Sequence, residues 1–307
     1  MLSFIICTYN RDKYLYNVLK SIAENDFSVE KYEIVLVNNN STDNTANECA
    51  RFQNDFPQVN FRYFVEKNQG LSHARNRGID EATGEMLIFL DDDAFVGKNY
   101  LENLTEYLSL YPDMSAFGGK ITPVFESGKT PAWLSSWSSS FISALDKGKN
   151  VIEFSGTAFP IGANMGFYKK CIEKTGNFNV ELGRKEKNLA GGEEKDLFNR
   201  FKENGFKIYY FPDIEAFHVI PENRTTYDYI KKLGFGVGAS EYIRCKKQGK
   251  LKLFNRYFSE IIKWSATLVL YLYYALLRQS PKGLALILFR KSVSKGLFFE
   301  NFINKTT

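Results

Sequence analysis

Short apolar runs alternate with amphipathic segments over the first ninety residues. The apolar runs are SFIIC (3–7), EIVLV (33–37), FRYFV (61–65) and MLIFL (86–90). Between them, the spacing of apolar residues predicts helices near 13–25, from about 42 to 54, and near 71–82. This βαβαβαβ order predicts an α/β fold with a Rossmann-like, mainly parallel sheet and helices on both faces.

Polar residues follow each of the four predicted strands. The carboxyl ends of parallel strands meet at one edge of a sheet, and ligands of open α/β sheets bind there. We therefore expect the four polar segments to line a single site. They are Thr8-Tyr9-Asn10, Asn38-Asn39-Asn40-Ser41, Glu66-Lys67-Asn68 and Asp91-Asp92-Asp93.

The fourth of these segments consists of three consecutive carboxylates. Three like charges held together repel, and a divalent cation with oxygen ligands, often shared with a phosphate, relieves that repulsion. The segment therefore indicates a protein that binds a metal-phosphate substrate. Removing one of the three acids is expected to reduce the repulsion in the metal-free protein. The alternative is a solvated acidic turn at the end of a strand.

Beyond residue 95 the pattern is less regular. Helices are predicted near 101–110 and at about 195–204, and strands after Phe117-Gly118-Gly119 and at KIYYF (207–211). Residues 126–146 are rich in Ser and predict a long surface excursion, and residues 185–195 predict a charged loop. Trp133 and Trp137 in the excursion could stack on an acceptor sugar or pack against the protein. From about residue 227 the chain is predicted to be helical.

The C-terminal segment is basic and contains a long apolar run. Residues 243–295 hold twelve Lys or Arg against one acid, Glu260, whereas the whole chain has a net charge of +5, so the remainder is mildly acidic. This asymmetry indicates an anionic partner. The uncharged run at 264–277 is too short to cross a hydrocarbon core of roughly 30 Å. We expect it to lie on the membrane surface; the alternative is a core helix or a dimer contact.

Composition excludes several classes of protein. Hydrophobic residues make up 44% and charged residues 24%, as in an ordinary globular protein. The four cysteines are far apart and form no CxxC pair, which argues against a zinc site or a disulfide framework and fits a reducing cytosol. The first residues show no secretory signal pattern. Gly234-Phe-Gly236-Val-Gly-Ala239 does not follow an apolar strand, so it does not indicate a nicotinamide dehydrogenase.

Several motifs occur in the order found in one enzyme family. They are SFIICTYNR, VNNNSTDNT, NQGLSHARNRGIDEATGEMLIFLDDD, GANMGF, GGEEKDL and YFPDIEAFH. Taken together, the chain resembles an inverting family 2 glycosyltransferase of GT-A fold over roughly residues 3–240. The resemblance implies a catalytic domain over 1–226, with a nucleotide-binding half (1–95) and an acceptor-side half (96–226), followed by a helical segment over 227–307.

The resemblance implies nucleotide contacts in the first half of the chain. Thr8, Tyr9 and Asn10 would lie at the base, with the ring of Tyr9 available for stacking. Asn38 and Asn39 stand where the family commonly has Asp, which leaves the identity of the base open, although an amide oxygen can also accept the uracil N–H.

The resemblance also implies a diphosphate and metal site. Arg75 would reach the base or diphosphate, or else form ion pairs within the fold. Asp91 or Asp92 would face the ribose, and Asp93 would bind Mn²⁺ or Mg²⁺, with His218 as a further metal or diphosphate ligand. The alternative for His218 is a structural histidine.

The general base is expected in GGEEKDL. In the family the second acid takes the proton from the acceptor hydroxyl, and that position is Glu194, with Glu193 beside it. Adjacent acids raise one another's pKa, which suits a base. The alternative is that acids simply favour a helix N-terminus.

The expected activity is transfer of a sugar from a nucleotide-sugar, UDP-linked by resemblance, to a hydroxyl of a glycan or lipid-linked saccharide in polysaccharide biosynthesis. Other interpretations are a catalytically weak nucleotide-sugar-binding protein and a phosphoribosyltransferase-type enzyme. The expected location is cytoplasmic, peripheral on the inner face of the cell membrane. Nucleic acid is not an expected partner, and the sequence does not indicate an oligomeric state.

Overall fold

The computed structural model describes residues 1–184 and 191–298. The chain forms two compact units, described separately below. The first comprises Met1–Val124, Ser143–Glu181 and Glu193–Val219, and the second Phe125–Ile142, Leu182–Gly192 and Ile220–Thr307. The second unit thus includes two segments besides the C-terminal helices, and the boundary at residue 226 stays a prediction.

The first unit is built on a mixed sheet. Within the described residues it has nine strands, in the order β3-β2-β1-β4-β8-β6-β9-β5, with β7 paired to β9. The first four strands pair in parallel, as the pattern predicted, and the later pairs are antiparallel. The strands are β1 (Leu2–Thr8), β2 (Tyr32–Asn38), β3 (Phe61–Val65), β4 (Met86–Asp91), β5 (Ala94–Val96), β6 (Met114–Phe125), β7 (Ile152–Glu153), β8 (Asn164–Tyr168) and β9 (Lys207–Ile220).

Six α-helices of the described residues accompany this sheet. They are α1 (Asp12–Ala23), α2 (Thr45–Asp55), α3 (Leu71–Glu81), α4 (Tyr100–Leu110), α5 (Lys169–Thr175) and α6 (Glu193–Glu203). The predicted start of α2 at residue 42 is wrong by three residues. Asp43 accepts hydrogen bonds from the backbone N–H and the hydroxyl of Thr45, at 3.1 and 2.6 Å, so the loop after β2 is held in a turn before the helix begins.

Each face of the sheet carries its own apolar core. Along β1, Phe4 and Ile6 pack into one core, whereas Ile5 and Cys7 contact the other. Residues of α1, α2 and α4 belong to the first core, and residues of α3, α5 and α6 belong to the second. Because successive side chains of a strand point to opposite faces, a strand covered on both sides must be apolar throughout. This explains the uninterrupted runs in the sequence.

The strand register aligns the polar ends of β1, β2 and β4. Thr8 pairs with Asn38, and Cys7 with Asp91. Asn38 also pairs with Val65 at the end of β3. The four polar segments therefore leave the sheet at the same edge, as expected from the sequence.

The second unit contains part of the segment predicted as a surface excursion. That prediction is wrong for Trp133, Phe141 and Ile142, which are buried. The indole N–H of Trp133 donates to the carbonyl of Thr225 at 2.6 Å, so this ring packs against the protein. Trp137 is 61% exposed. Most of the predicted loop at 185–195 lies outside the described residues, and its last residues, from Glu193, begin α6.

Three helices dominate the second unit: α7 (Tyr227–Lys247), α8 (Lys250–Leu276) and α9 (Ser280–Phe298). Helices α7 and α9 approach closely, because a Cβ on Gly238 would lie 2.1 Å from the carbonyl oxygen of Val293. A Cβ on Gly296 would likewise meet the carbonyl oxygen of Phe235 at 2.2 Å. None of the helices in the described residues combines the length and the apolar character needed to cross a bilayer.

Candidate active site

Three potential metal ligands converge at the sheet edge. Asp91 ends β4, Asp93 lies in the turn that follows, and His218 comes from β9, opposite Ala94 of β5. One ligand atom from each lies within 4.8 Å of the other two. His218 Nε2 is 3.0 Å from Asp93 Oδ1, and both side chains are 1% exposed. Two carboxylates and an imidazole are suitable ligands for Mn²⁺.

The pairing of β5 with β9 brings His218 to the acids, although 125 positions separate it from Asp93 in the chain. The geometry places Asp91, rather than Asp92, with Asp93 and His218. The sequence analysis expected either Asp91 or Asp92 to face the ribose. The histidine packs inside the fold and contacts an acid, so the structural and the ligand interpretations both remain compatible with its position.

An arginine that the sequence analysis overlooked lies against the acids. The guanidinium of Arg11 pairs with the carboxylate of Asp93, and its Nη1 is 3.8 Å from Asp92 Oδ1. The repulsion among the three acids is therefore already reduced by a cation of the chain itself. Arg11 directly follows Thr8-Tyr9-Asn10 at the end of β1, and this position at the shared sheet edge was the signal that could have identified it.

Asp92, the middle acid of the three, is buried. Burial raises its pKa to about 7, against the lowering effect of Arg11, and the Asp93 carboxylate raises it further. Asp93, in contrast, lies between Arg11 and His218.

A second charged group joins α3 to the start of α6. Arg75 is 3% exposed, and its Nη1 and Nη2 lie 3.1 Å from Glu193 Oε1 and 3.0 Å from Glu194 Oε1. Its Nη2 is also 4.0 Å from Asp91 Oδ1, and its guanidinium lies over the ring of Phe178. Arg75 thus forms ion pairs within the fold, and its contact with a base or diphosphate stays a prediction. One guanidinium thus lies between the candidate base Glu194 and the candidate metal ligand Asp91.

The two glutamates differ in environment. Glu194 Oε1 accepts hydrogen bonds from Arg75 and from the backbone N–H of Gly162, at 2.9 Å for the latter. Burial raises the pKa of Glu194 to about 7, although Arg75 opposes the shift, and the Glu193 carboxylate adds to it. Glu193 is 4% exposed, and its Oε2 has no hydrogen-bond partner among the described residues. Both acids lie in the first turn of α6, as the helix-dipole alternative also predicts.

The residues predicted to meet the base lie in the loops after β1 and β2. Tyr9 is half-buried, and Asn10 adopts a left-handed conformation with a φ of 51°. The side-chain oxygen of Asn10 accepts a hydrogen bond from the backbone N–H of Thr42 at 2.7 Å. This bond ties the first loop to the second.

The paired asparagines are engaged within the fold. Asn38 donates to the hydroxyl of Tyr63 and accepts from the backbone N–H of Ser41, both at 2.8 Å. Asn39 accepts from the backbone N–H of Gly70 at 2.8 Å and donates to the carbonyls of Glu66 and Asn68. These amides therefore organise the loops of β2 and β3. Their contact with a base stays a prediction.

Known structures share this architecture. A mannosyltransferase from Pyrobaculum calidifontis in complex with GDP-mannose and Mn²⁺ superposes with a TM-score of 0.65 and 19% identity, over 98% of this chain and 88% of the other. Staphylococcus aureus TarS 1–349 in complex with UDP-GlcNAc superposes with a TM-score of 0.54 and 16% identity, over 97% and 93%. These likenesses confirm the GT-A fold.

Sequence comparison gives the family. The chain is 25% identical over 252 residues to the glucosyl-dolichyl phosphate glucuronosyltransferase of Haloferax volcanii, a match that covers 78% of this chain and 76% of the other. The family model described as glycosyl transferase family 2 matches residues 3–176, more than half of the chain. That span contains β1 to β4 with their polar ends, and the predicted family is confirmed: the chain belongs to glycosyl transferase family 2.

Proposed function

We propose that this protein transfers a sugar, with inversion, from a nucleotide-diphosphate sugar to a hydroxyl of a glycan or lipid-linked saccharide in polysaccharide biosynthesis. The observation that carries the proposal is the position of Arg75, which contacts the candidate base Glu194 and lies 4.0 Å from Asp91. A diphosphate held at the acids and a hydroxyl held at Glu194 would therefore be close neighbours. The alternative of a phosphoribosyltransferase-type enzyme does not agree with membership of glycosyl transferase family 2.

Glu194 is the proposed general base. Its carboxylate takes the proton of the acceptor hydroxyl as the acceptor oxygen bonds to the anomeric carbon and the bond from that carbon to the diphosphate breaks. The bonding electron pair leaves with the diphosphate. Arg75 holds Glu194 from one side and the Gly162 N–H holds it from the other, so the carboxylate is oriented before the acceptor arrives.

Asp91, Asp93 and His218 are the proposed ligands of Mn²⁺ or Mg²⁺, because their donor atoms are close together and suit such a cation. The bound cation would offset the charge on the departing diphosphate. Asp92 is proposed to face the ribose. Thr8, Tyr9, Asn10, Asn38 and Asn39 are proposed to form the surroundings of the base.

Arg11 is expected to compete with the metal for Asp93, since its guanidinium already pairs with that carboxylate. In the absence of nucleotide, Arg11→Ala should therefore bind Mn²⁺ at least about tenfold more tightly than the wild type, because one charge pair at such a site is worth about 1.4 kcal/mol or more. Electron paramagnetic resonance of free Mn²⁺ measures this directly. Arg51→Ala, at an exposed position of α2, is the matched control. Equal affinities in all three proteins would show that Arg11 does not compete with the metal.

The rate of transfer should rise with pH and level off above about 7. Glu194 must be deprotonated to act as a base, and burial raises its pKa to about 7, so the active form is lost as the pH falls below that value. In Glu193→Gln the neighbouring negative charge is absent, and the acidic limb of the kcat profile should move to lower pH. A limb that does not move would show that another group controls the profile.

The donor class is tested by mass spectrometry against a panel of nucleotide-sugars with uridine, guanosine and other bases. A UDP-linked donor is the expectation, although the structural relatives include complexes with UDP-GlcNAc and with GDP-mannose. Hydrolysis of the selected donor in the absence of acceptor would separate an enzyme from a catalytically weak binding protein. Binding without hydrolysis or transfer to any acceptor would contradict the proposal.

A lipid-linked acceptor agrees with the relative from Haloferax volcanii, whose name includes a dolichyl phosphate sugar. We therefore propose a peripheral location on the inner face of the cell membrane, where such an acceptor would be reached.

A further inference from the structure

The buried face of α8 carries charged residues. Arg256 and Glu260 are 8% and 1% exposed. The Nη1 of Arg256 donates to Glu260 at 2.8 Å, and its Nε donates to Glu241 of α7 at 3.1 Å. Glu260 also accepts from Arg290 and from the hydroxyl of Ser294, both in α9, at 3.3 and 3.0 Å. Ion pairs thus connect α8 to both neighbouring helices.

The opposite face of α8 is apolar and exposed. Six large side chains define what we call the α8 stripe, and each is between 58% and 85% exposed. They recur at intervals of three, four or seven residues, so they lie on one side of the helix. At about 1.5 Å per residue the stripe is roughly 40 Å long. Its members are Leu251, Phe254, Phe258, Ile262, Val269 and Leu276.

This arrangement is the reverse of that of a water-soluble helix, which buries its apolar side and exposes its charges. Turning α8 to bury the stripe would leave Glu241 and Arg290 without the partners that they now have in Arg256 and Glu260. Unpairing buried charges is strongly unfavourable. The ion pairs therefore fix the helix with its apolar side outward, and a row of this size marks an interaction surface.

The charges around the stripe indicate its partner. From residue 249 to 298 the chain has nine basic residues and a single acid, Glu260, which is buried in the ion pairs just described. Lys250, Lys252 and Arg278, near the two ends of the stripe, are exposed. A second copy of the chain would bring this basic surface against another like it, whereas an anionic lipid surface is complementary to it.

We propose that the α8 stripe lies in the interfacial region of an anionic membrane, with the helix parallel to the surface and its apolar side directed toward the acyl chains. The inference deepens the proposed function, because it gives the surface at which a lipid-linked acceptor would be met. It does not depend on the chemistry of transfer, since binding to lipid is measured without donor or acceptor. A failure of membrane binding can therefore be told apart from a failure of the proposed sugar transfer.

The test is flotation of the full chain with vesicles of phosphatidylcholine containing phosphatidylglycerol, and with phosphatidylcholine alone. The wild type should float with the anionic vesicles, and less so with the neutral ones or at high salt. The double variant Phe254→Glu and Phe258→Glu should lower the partition coefficient by well over tenfold, because each large apolar side chain contributes about tenfold or more to partitioning. Lys250→Gln with Lys252→Gln should weaken binding to the anionic vesicles only.

The matched control is Leu110→Glu, a similarly exposed leucine of the first unit, which should float like the wild type. Circular dichroism of each variant checks that it folds. Substitutions at these exposed positions should not impair folding. The proposal is overturned if the wild type stays in the soluble fraction at low salt, or if the double variant floats as well as the wild type. A third result would also overturn it: the wild type does not float, sediments as a dimer in the absence of lipid, and loses this dimer in the double variant.

Discussion

Glu194→Gln should bind the donor almost normally and transfer sugar at least about 10²-fold more slowly, the usual contribution of a positioned general base. The amide keeps the shape of the side chain, and its oxygen can still accept from Arg75 and from the Gly162 N–H. What it loses is basicity. Transfer is measured as turnover with saturating donor and acceptor, and donor binding by titration of the nucleotide-sugar in the absence of acceptor.

Glu193→Gln is the matched variant, since it removes the neighbouring carboxylate from the same helical turn. It should retain most of the transfer rate, because Glu194 keeps its two hydrogen bonds, while its pH profile shifts as described above. If Glu193→Gln lost transfer and Glu194→Gln retained it, the base would be Glu193. Its Oε2, which accepts no hydrogen bond from the described part of the chain, would then be the reacting atom.

Asp93→Ala should abolish metal-dependent binding of nucleotide. It removes one of the three proposed ligands and also the partner of Arg11, so the affinity for UDP or GDP in the presence of Mn²⁺ should fall at least about tenfold, the lower limit even for changes around metal ligands. Isothermal titration with each nucleotide, with Mn²⁺ and with chelator, separates the metal-dependent part. Unchanged affinity with Mn²⁺ would exclude Asp93 as a ligand, and Asp80→Ala, an exposed acid of α3, is the control.

The same variant tests a corrected expectation about stability. Repulsion among three acids alone predicts that removing one stabilises the metal-free protein. In the structure Asp93 is 1% exposed and lies against Arg11 and the buried His218, so its removal takes away a carboxylate that both of these side chains contact. We now expect Asp93→Ala to lower the free energy of unfolding in urea, and Asp92→Asn, at the carboxyl whose pKa burial raises, to have a smaller effect.

The sequence by itself determined the parallel half of the sheet and the edge at which the site lies. Runs such as Ile34 to Val37 are apolar at every position because both faces of the strand are covered, and polar residues begin where the strand leaves that cover. Helix boundaries were less accurate where a side chain holds a loop before the helix, as Asp43 does before α2.

Only the tertiary structure decided which charges meet. His218 reaches Asp93 through the pairing of β9 with β5, and Arg75 reaches Glu193 and Glu194 from a helix more than a hundred residues earlier. Arg11 was passed over because a sequence does not show which acid a long flexible cation will select.

The orientation of α8 was likewise decided by tertiary contacts. Its periodicity shows that one side is apolar, but the ion pairs of Arg256 and Glu260 with neighbouring helices decide that this side faces outward. Local patterns arise from the backbone period and from burial, whereas the partner of a charge depends on contacts between segments far apart in the chain.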